Sequence, residues 1–174
     1  MTKLKALASV RSASPESFVY VPPDAAFGAG RILVKPNLGY PVKAPATVSL
    51  PVLAAVLRGL RRASPSARIL IAEGVTVAQS ADEVFAKLGL PALLDEEMRV
   101  ADMEILPTRL YQNRLPQPRK YRSMSAPAYL AEFDCVISVA PFKRTQLNGQ
   151  PLISASLKNL YGLFPRSLYH GRSP

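Results

Sequence analysis

Asp134-Cys135-Val136-Ile137-Ser138-Val139-Ala140 is the stretch on which the fold reading turns. It is short, almost continuously apolar and rich in β-branched residues, and Pro141 ends it. A run of this kind reads as a strand buried on both faces, as in a parallel sheet covered on two sides. Two further runs have the same character. Arg31-Ile32-Leu33-Val34 stops at Lys35-Pro36-Asn37, and Arg68-Ile69-Leu70-Ile71-Ala72 stops at Glu73-Gly74. Proline cannot donate to a sheet ladder, so Pro36 marks a strand end.

Between the runs lie helical patterns. Leu53, Val56, Leu57 and Leu60 recur at i, i+3, i+4 and i+7, the stripe of an amphipathic helix. Ser49 is placed to cap it, Pro51 is tolerated in its first turn, and Arg58, Arg61 and Arg62 fall in its second half, where cations favour the helix dipole. Ser64-Pro65 ends it. Ser80-Ala81-Asp82-Glu83 matches a capping box and opens a second helix that runs to about residue 88 and stops at Gly89. The remaining expectations are a short strand over residues 6–10, loop over 12–30, a short helix over 91–98, a weaker strand over 101–106 and a basic loop or hairpin over 111–121. A short helix is expected over 126–133, and a last helix over 152–163 with a stripe at Leu152, Leu157, Leu160 and Leu163. Strands alternating with helices predict an α/β fold. It is expected to be three-layered, with a largely parallel sheet and helices on both faces, built as a single domain over residues 1–174. No Gly-x-Gly-x-x-Gly follows any strand, which argues against a dinucleotide fingerprint or a phosphate-binding loop.

Composition narrows the function classes. A 48% apolar, 20% charged chain of 174 residues is that of a globular domain with a sizeable core. The net charge of +10 attracts anions. Arg109, Arg114, Arg119, Lys120 and Arg122 lie in a segment free of acidic residues, and Arg58, Arg61, Arg62 and Arg68 form a second group. Such groups read either as a solvated face or as an anion-binding surface. The single cysteine, Cys135, lies inside an apolar run, which predicts a buried, inert thiol; alone it cannot hold an iron–sulfur cluster. One histidine, His170, leaves a His/Cys zinc site almost without donors. No run approaches the ~18 apolar residues of a membrane span, and no signal peptide is evident, so a cytoplasmic protein without a membrane partner is expected.

The polar residues that follow the strands are the candidate site. The first strand exit gives Lys35 and Asn37, the second Glu73 and Gly74, and the third Lys143, Arg144 and Thr145; Lys158 and Asn159 sit in the last helical segment. In an open parallel sheet all carboxyl ends share one edge, where ligands bind, so residues far apart in sequence can meet there. Each taken alone is also what a solvent-exposed lysine or a turn glutamate would look like. Lysines and asparagines suit an anionic or carbonyl-bearing ligand. Glu73 could serve as a base, as a ligand for a hard cation such as Mg²⁺, or as a lysine's partner.

Three of these motifs carry a resemblance. Arg31-Ile-Leu-Val-Lys35-Pro36-Asn37-Leu38, then Asp134 to Pro141-Phe-Lys143-Arg-Thr145, then Ser156-Leu-Lys158-Asn159-Leu-Tyr161-Gly162 with His170 beyond, resemble in order the motifs of the domain-of-unknown-function family 362. The resemblance spans residues 31–170 and adds His170 to the ligand-binding set. Many members of that family carry cluster-binding cysteines and are guessed to be redox proteins; this chain lacks those cysteines, so that implication does not transfer. Members also continue past the histidine into a glycine-rich stretch, which makes this chain look like a shortened or truncated member.

The combined expectation is a crevice for a small anionic or carbonyl-bearing ligand at the carboxyl edge. Glu73 and Lys143 would carry its chemistry, and Lys35, Asn37, Thr145, Lys158, Asn159 and His170 would line it, with no resident cofactor. Two alternatives stay open. One is a nucleic-acid-binding module using residues 109–122, with Tyr111 and Tyr121 for stacking. The other is a non-catalytic subunit or interaction domain, self-associating or docked on a partner.

Overall fold

The computed structural model describes residues 13–76, 79–117, 121–147 and 149–169. The strand expected over residues 6–10, together with Arg119, Lys120 and His170, lies outside the described residues.

Four strands form the central sheet: β1 (Arg31–Pro36), β2 (Arg68–Glu73), β3 (Met98–Asp102) and, later in the chain, β6 (Cys135–Val139). Their order is β3-β2-β1-β6, and every pair is parallel. The carboxyl ends therefore all lie on one edge. β1 is flanked on one side by β2 and on the other by β6, so the strand order reverses at β1. That reversal is a topological switch point, where the connections leave on opposite faces and a cleft can open between them.

Side chains alternate across the sheet. Ile32, Val34, Ile69, Ile71, Cys135, Ile137 and Val139 join one core cluster with α1 (Leu50–Ala63) and α2 (Ala81–Leu88). Leu33 and Ala72 join a second cluster with Met103 and Leu163, against which Leu130, Phe133 and Leu160 pack. β1 is buried along all but its first residue, as a strand covered on both faces must be. Helices α1 and α2 cover the first face. The second carries short pieces: the 3₁₀ turns Ala128–Glu132 and Tyr161–Leu163 and the five-residue helix α3 (Ser156–Leu160).

Local chemistry explains the long helices. Leu53, Val56, Leu57 and Leu60 of α1 are all buried, as their spacing requires. Arg61 closes the helix end. It makes a two-pronged ion pair with Asp95 and donates to the carbonyls of Pro65 and Ala67. In α2, Ser80 Oγ accepts from the Glu83 amide and Glu83 accepts from the Ser80 amide, the expected capping box, and Gly89 ends the helix in the left-handed region at φ 85°.

Several weaker expectations need correction. The helix expected over 91–98 is only a 3₁₀ turn, Leu90–Leu93, and the strand expected over 101–106 is β3, beginning at Met98. β3 ends at Asp102 because its pairing partner β2 ends at Glu73, opposite it. The described residues of 111–121 belong to a hairpin: β4 (Thr108–Gln112) pairs antiparallel with β5 (Ser123–Pro127), which takes the first two residues of the helix expected over 126–133. The last expected helix is mostly something else. β7 (Lys143–Leu147) and β8 (Gln150–Ser154) form an antiparallel ribbon, and α3 starts only at Ser156. Leu152 and Leu157 are five residues apart, about 140° off a common helical face. They are accordingly 41% and 85% exposed, while Leu163 is buried.

Candidate functional site

The residues at the carboxyl edge are joined by hydrogen bonds. Lys35, near the end of β1, projects toward the second face and is 1% exposed. Its Nζ donates to Glu73 Oε1 at 2.5 Å, to the Pro36 carbonyl at 2.8 Å and to Asn159 Oδ1 at 3.3 Å. Glu73, the last residue of β2, is 3% exposed and has both oxygens engaged. Oε1 also accepts from the Gly74 amide at 3.0 Å, and Oε2 accepts from the Leu38 amide at 2.8 Å. Burial pushes the Lys35 ammonium down and the Glu73 carboxyl up, and each is opposed by the attraction of the other. The backbone donors from Leu38 and Gly74 further favour the carboxylate. The two groups titrate as a unit.

Asn159, on α3, ties this pair to the switch point. Its Nδ2 donates to the Lys35 carbonyl at 2.7 Å and to Ser138 Oγ at 3.1 Å; its Oδ1 accepts from Lys35 and, at 3.4 Å, from Asn37 Nδ2. Asn37 continues β1 beyond Pro36, and its amide donates to the Val139 carbonyl of β6 at 2.9 Å. Lys143 comes next. Its Nζ donates to Asn37 Oδ1 at 3.1 Å and to the Ala46 carbonyl. An unbroken path thus runs from buried Glu73 through Lys35, Asn159 and Asn37 to a partly buried lysine between the ends of β1 and β6. Among the described residues no carboxylate lies within ion-pair distance of Lys143. Burial, then the charge of nearby Lys158, hold its ammonium below the usual lysine range, against Tyr40 and Glu73, which act to raise it.

The expected residues therefore divide. Lys35, Asn37, Glu73, Lys143 and Asn159 form one network. Lys158 is exposed and joins it through its charge on Lys143. Thr145 shares the Lys143 face of the β7–β8 ribbon by strand alternation but lies two residues farther along it, outside the hydrogen-bonded network. Lys143 is the first residue of a ribbon strand rather than the exit of β6, and the Pro141-Phe142 step carries the chain back over the sheet edge. Three contributors stand outside the expected site residues: the Ala46 carbonyl, Ser138 and Gly162. Gly162 lies over the ion pair so closely that a Cβ there would come within 3.0 Å of Lys35 Cε and 3.1 Å of Glu73 Oε1. Glycine beside a lysine–asparagine pair is the one hint, and only the fold shows what it covers.

Glu73 is buried and accepts from Lys35 and from two backbone amides, so it serves here as the partner of Lys35. No group of three or more His, Cys, Asp or Glu side chains suited to a metal occurs among the described residues. No described helix is long and apolar enough to cross a membrane. Cys135 is buried, and burial, followed by Asp134, pushes its thiol up.

These features define a parallel α/β domain with a lysine-bearing polar cluster at its switch point. The chain belongs to the family described as Domain of unknown function (DUF362), whose model matches residues 32–174. No curated protein and no solved structure matches the chain.

Proposed function

We propose that the carboxyl edge around Lys143 and Lys158 binds a small anionic or carbonyl-bearing ligand. The observation that carries the reading is the placement of Lys143 between the ends of β1 and β6, beside a second cation and, among the described residues, with no carboxylate within ion-pair distance. An anion there relieves the repulsion between the two lysines. The buried Lys35–Glu73 pair has a supporting role: it fixes Asn159, which fixes Asn37, which aims Lys143.

The test is ligand-dependent stability. Phosphate, citrate and pyruvate are titrated against thermal unfolding at constant ionic strength, for the native chain and for Lys143→Ala. A specific ligand at a hundredfold excess over its dissociation constant adds about 2.7 kcal/mol. The gain should vanish in the variant. An equal gain in both proteins means general screening of the +10 charge and removes the site.

The nucleic-acid alternative draws less support. Tyr111 already carries Arg109 over its ring at 4.4 Å, and its hydroxyl donates to the Pro127 and Ala128 carbonyls. A docking role for the same edge draws on Phe142, Ile153 and Leu157, which are 79%, 67% and 85% exposed. Self-association without any ligand-dependent stabilisation would favour it.

A further inference from the structure

We infer that Lys143 is a nucleophilic amine that condenses with the carbonyl of a small 2-oxo acid, while Lys158 takes the acid's carboxylate. The inference deepens the carboxyl-edge reading above and rests on it. The geometry around Nζ is its basis. A neutral amine has two N–H donors and one lone pair, and two acceptors hold Lys143: Asn37 Oδ1 and the Ala46 carbonyl. With both N–H groups directed to those oxygens, the lone pair is aimed away from them. Both acceptors are fixed in turn. Asn37 is anchored through Asn159 and the Val139 carbonyl, and the residue-46 backbone belongs to the loop whose next residue, Thr47, bonds back to Val42.

The surroundings weaken the hold of Lys143 on its proton. A lysine becomes a nucleophile when desolvation or a neighbouring cation weakens its hold on the proton. Here Lys143 is partly buried, Lys158 is near enough for its charge to be felt, and no described carboxylate forms an ion pair with the ammonium. Lys158 itself is exposed on α3 and free to meet a carboxylate approaching from solvent.

The chemistry balances without a further reactant. The amine lone pair forms an N–C bond to the carbonyl carbon as the C=O π pair moves to oxygen. A proton passes from nitrogen to that oxygen, giving a carbinolamine. The nitrogen lone pair then forms the C=N bond as the C–O bond breaks, and the departing hydroxide takes the remaining N–H proton and leaves as water, giving the imine. The carboxylate and carbonyl of a 2-oxo acid lie on adjacent carbons, so one lysine can hold the first while the other attacks the second.

The probe is pyruvate with sodium cyanoborohydride, followed by intact-mass measurement and peptide mapping. One reduced adduct should form and map to Lys143, several-fold faster than on an average lysine of the urea-unfolded chain. Lys143→Arg, which keeps the charge, should abolish it. Lys158→Gln, at an exposed position, should slow labelling by pyruvate but not by acetaldehyde, which has no carboxylate. Label spread evenly over the lysines, or unchanged in Lys143→Arg, overturns the inference. Equal slowing with both carbonyl compounds removes the role of Lys158. Thermal stabilisation by pyruvate that depends on Lys143 without any adduct sinks the imine while leaving the anion site; absence of both sinks the two together.

Discussion

Lys35→Met should destabilise the protein in a way that depends on pH, because it strands a buried carboxylate. The wild-type side chains of Lys35 and Glu73 are 1% and 4% exposed and 2.5 Å apart. Removing one partner of a buried pair typically costs about 3–5 kcal/mol, since the remaining charge keeps its desolvation penalty. Against a typical total of about 5–15 kcal/mol, the variant should still fold but with a much reduced denaturation midpoint. The cost has a route of relief. Without the ammonium, burial, the largest influence on Glu73, is opposed only by the Leu38 and Gly74 amides, so its folded pKa lies above its unfolded one. The protonated form then favours the folded state, and the associated stability is present below the unfolded pKa and lost as pH rises through the folded value. Lys35→Met should therefore gain stability as pH falls from 8 toward 5, by at most about 1.4 kcal/mol per unit. In the wild type the two slopes oppose one another, because Lys35 is shifted down and loses stability as pH falls through its folded value.

The cycle is completed with Glu73→Gln and the double variant, each measured by urea unfolding at several pH values. Glutamine keeps an oxygen for one of the two amides, Leu38 and Gly74, that the carboxylate now accepts from. The double variant removes both charges, so it should be less destabilised than the sum of the singles by about 2 kcal/mol or more. Coupling below about 0.5 kcal/mol, or a Lys35→Met penalty that stays constant or grows as pH falls, would refute the reasoning.

Two further outcomes follow from packing. Gly162→Ala should destabilise by about 1–2 kcal/mol, because its Cβ would press on Lys35 and Glu73, which are held by other bonds, and backbone entropy returns less than about 1 kcal/mol. Gly30→Ala is the control: its nearest contact, Asp134 Oδ2 at 3.6 Å, is ordinary, so thermal unfolding should place it near or slightly above the wild type. Cys135, buried with a raised thiol, should react with a thiol reagent far more slowly in the native protein than in urea, and similar rates would show the β6 edge to be open.

The strength of the sequence signal tracked the number of constraints on each segment. β1 and β2 were legible because a parallel strand covered on both faces must be continuously apolar. β6 reads the same way in sequence, but it is an edge strand buried on one face only, with Cys135, Ile137 and Val139 buried and Val136 45% exposed. α2 was legible because its stripe agrees with its capping box, and α1 from its stripe and the proline in its first turn, although Ser49 at its N-cap makes no side-chain capping bond. The β7–β8 ribbon was not. Its strands have little buried surface, so no apolar alternation marks them, and the leucines at 152, 157, 160 and 163 imitate a helix. β3, on the edge of the sheet, takes its limits from β2 rather than from its own residues.

The site was legible to the degree that topology forces it. Once β1, β2 and β6 are parallel neighbours, Lys35, Asn37 and Glu73 share one edge whatever the loops do. Their division of labour does not follow from residue type. A lysine and a glutamate at strand ends look alike in sequence whether they meet solvent or each other. Here the second-face cover, Gly162 and Leu163, closes over β1 and β2 and makes Lys35–Glu73 an interior pair, while the β7–β8 ribbon brings a second lysine to the opening beside β6. Of the two lysines, the buried one pairs with a carboxylate, and the accessible one has none within ion-pair distance among the described residues. The charge of the first is therefore compensated within the fold, and under the carboxyl-edge proposal that of the second would be met by an arriving anion.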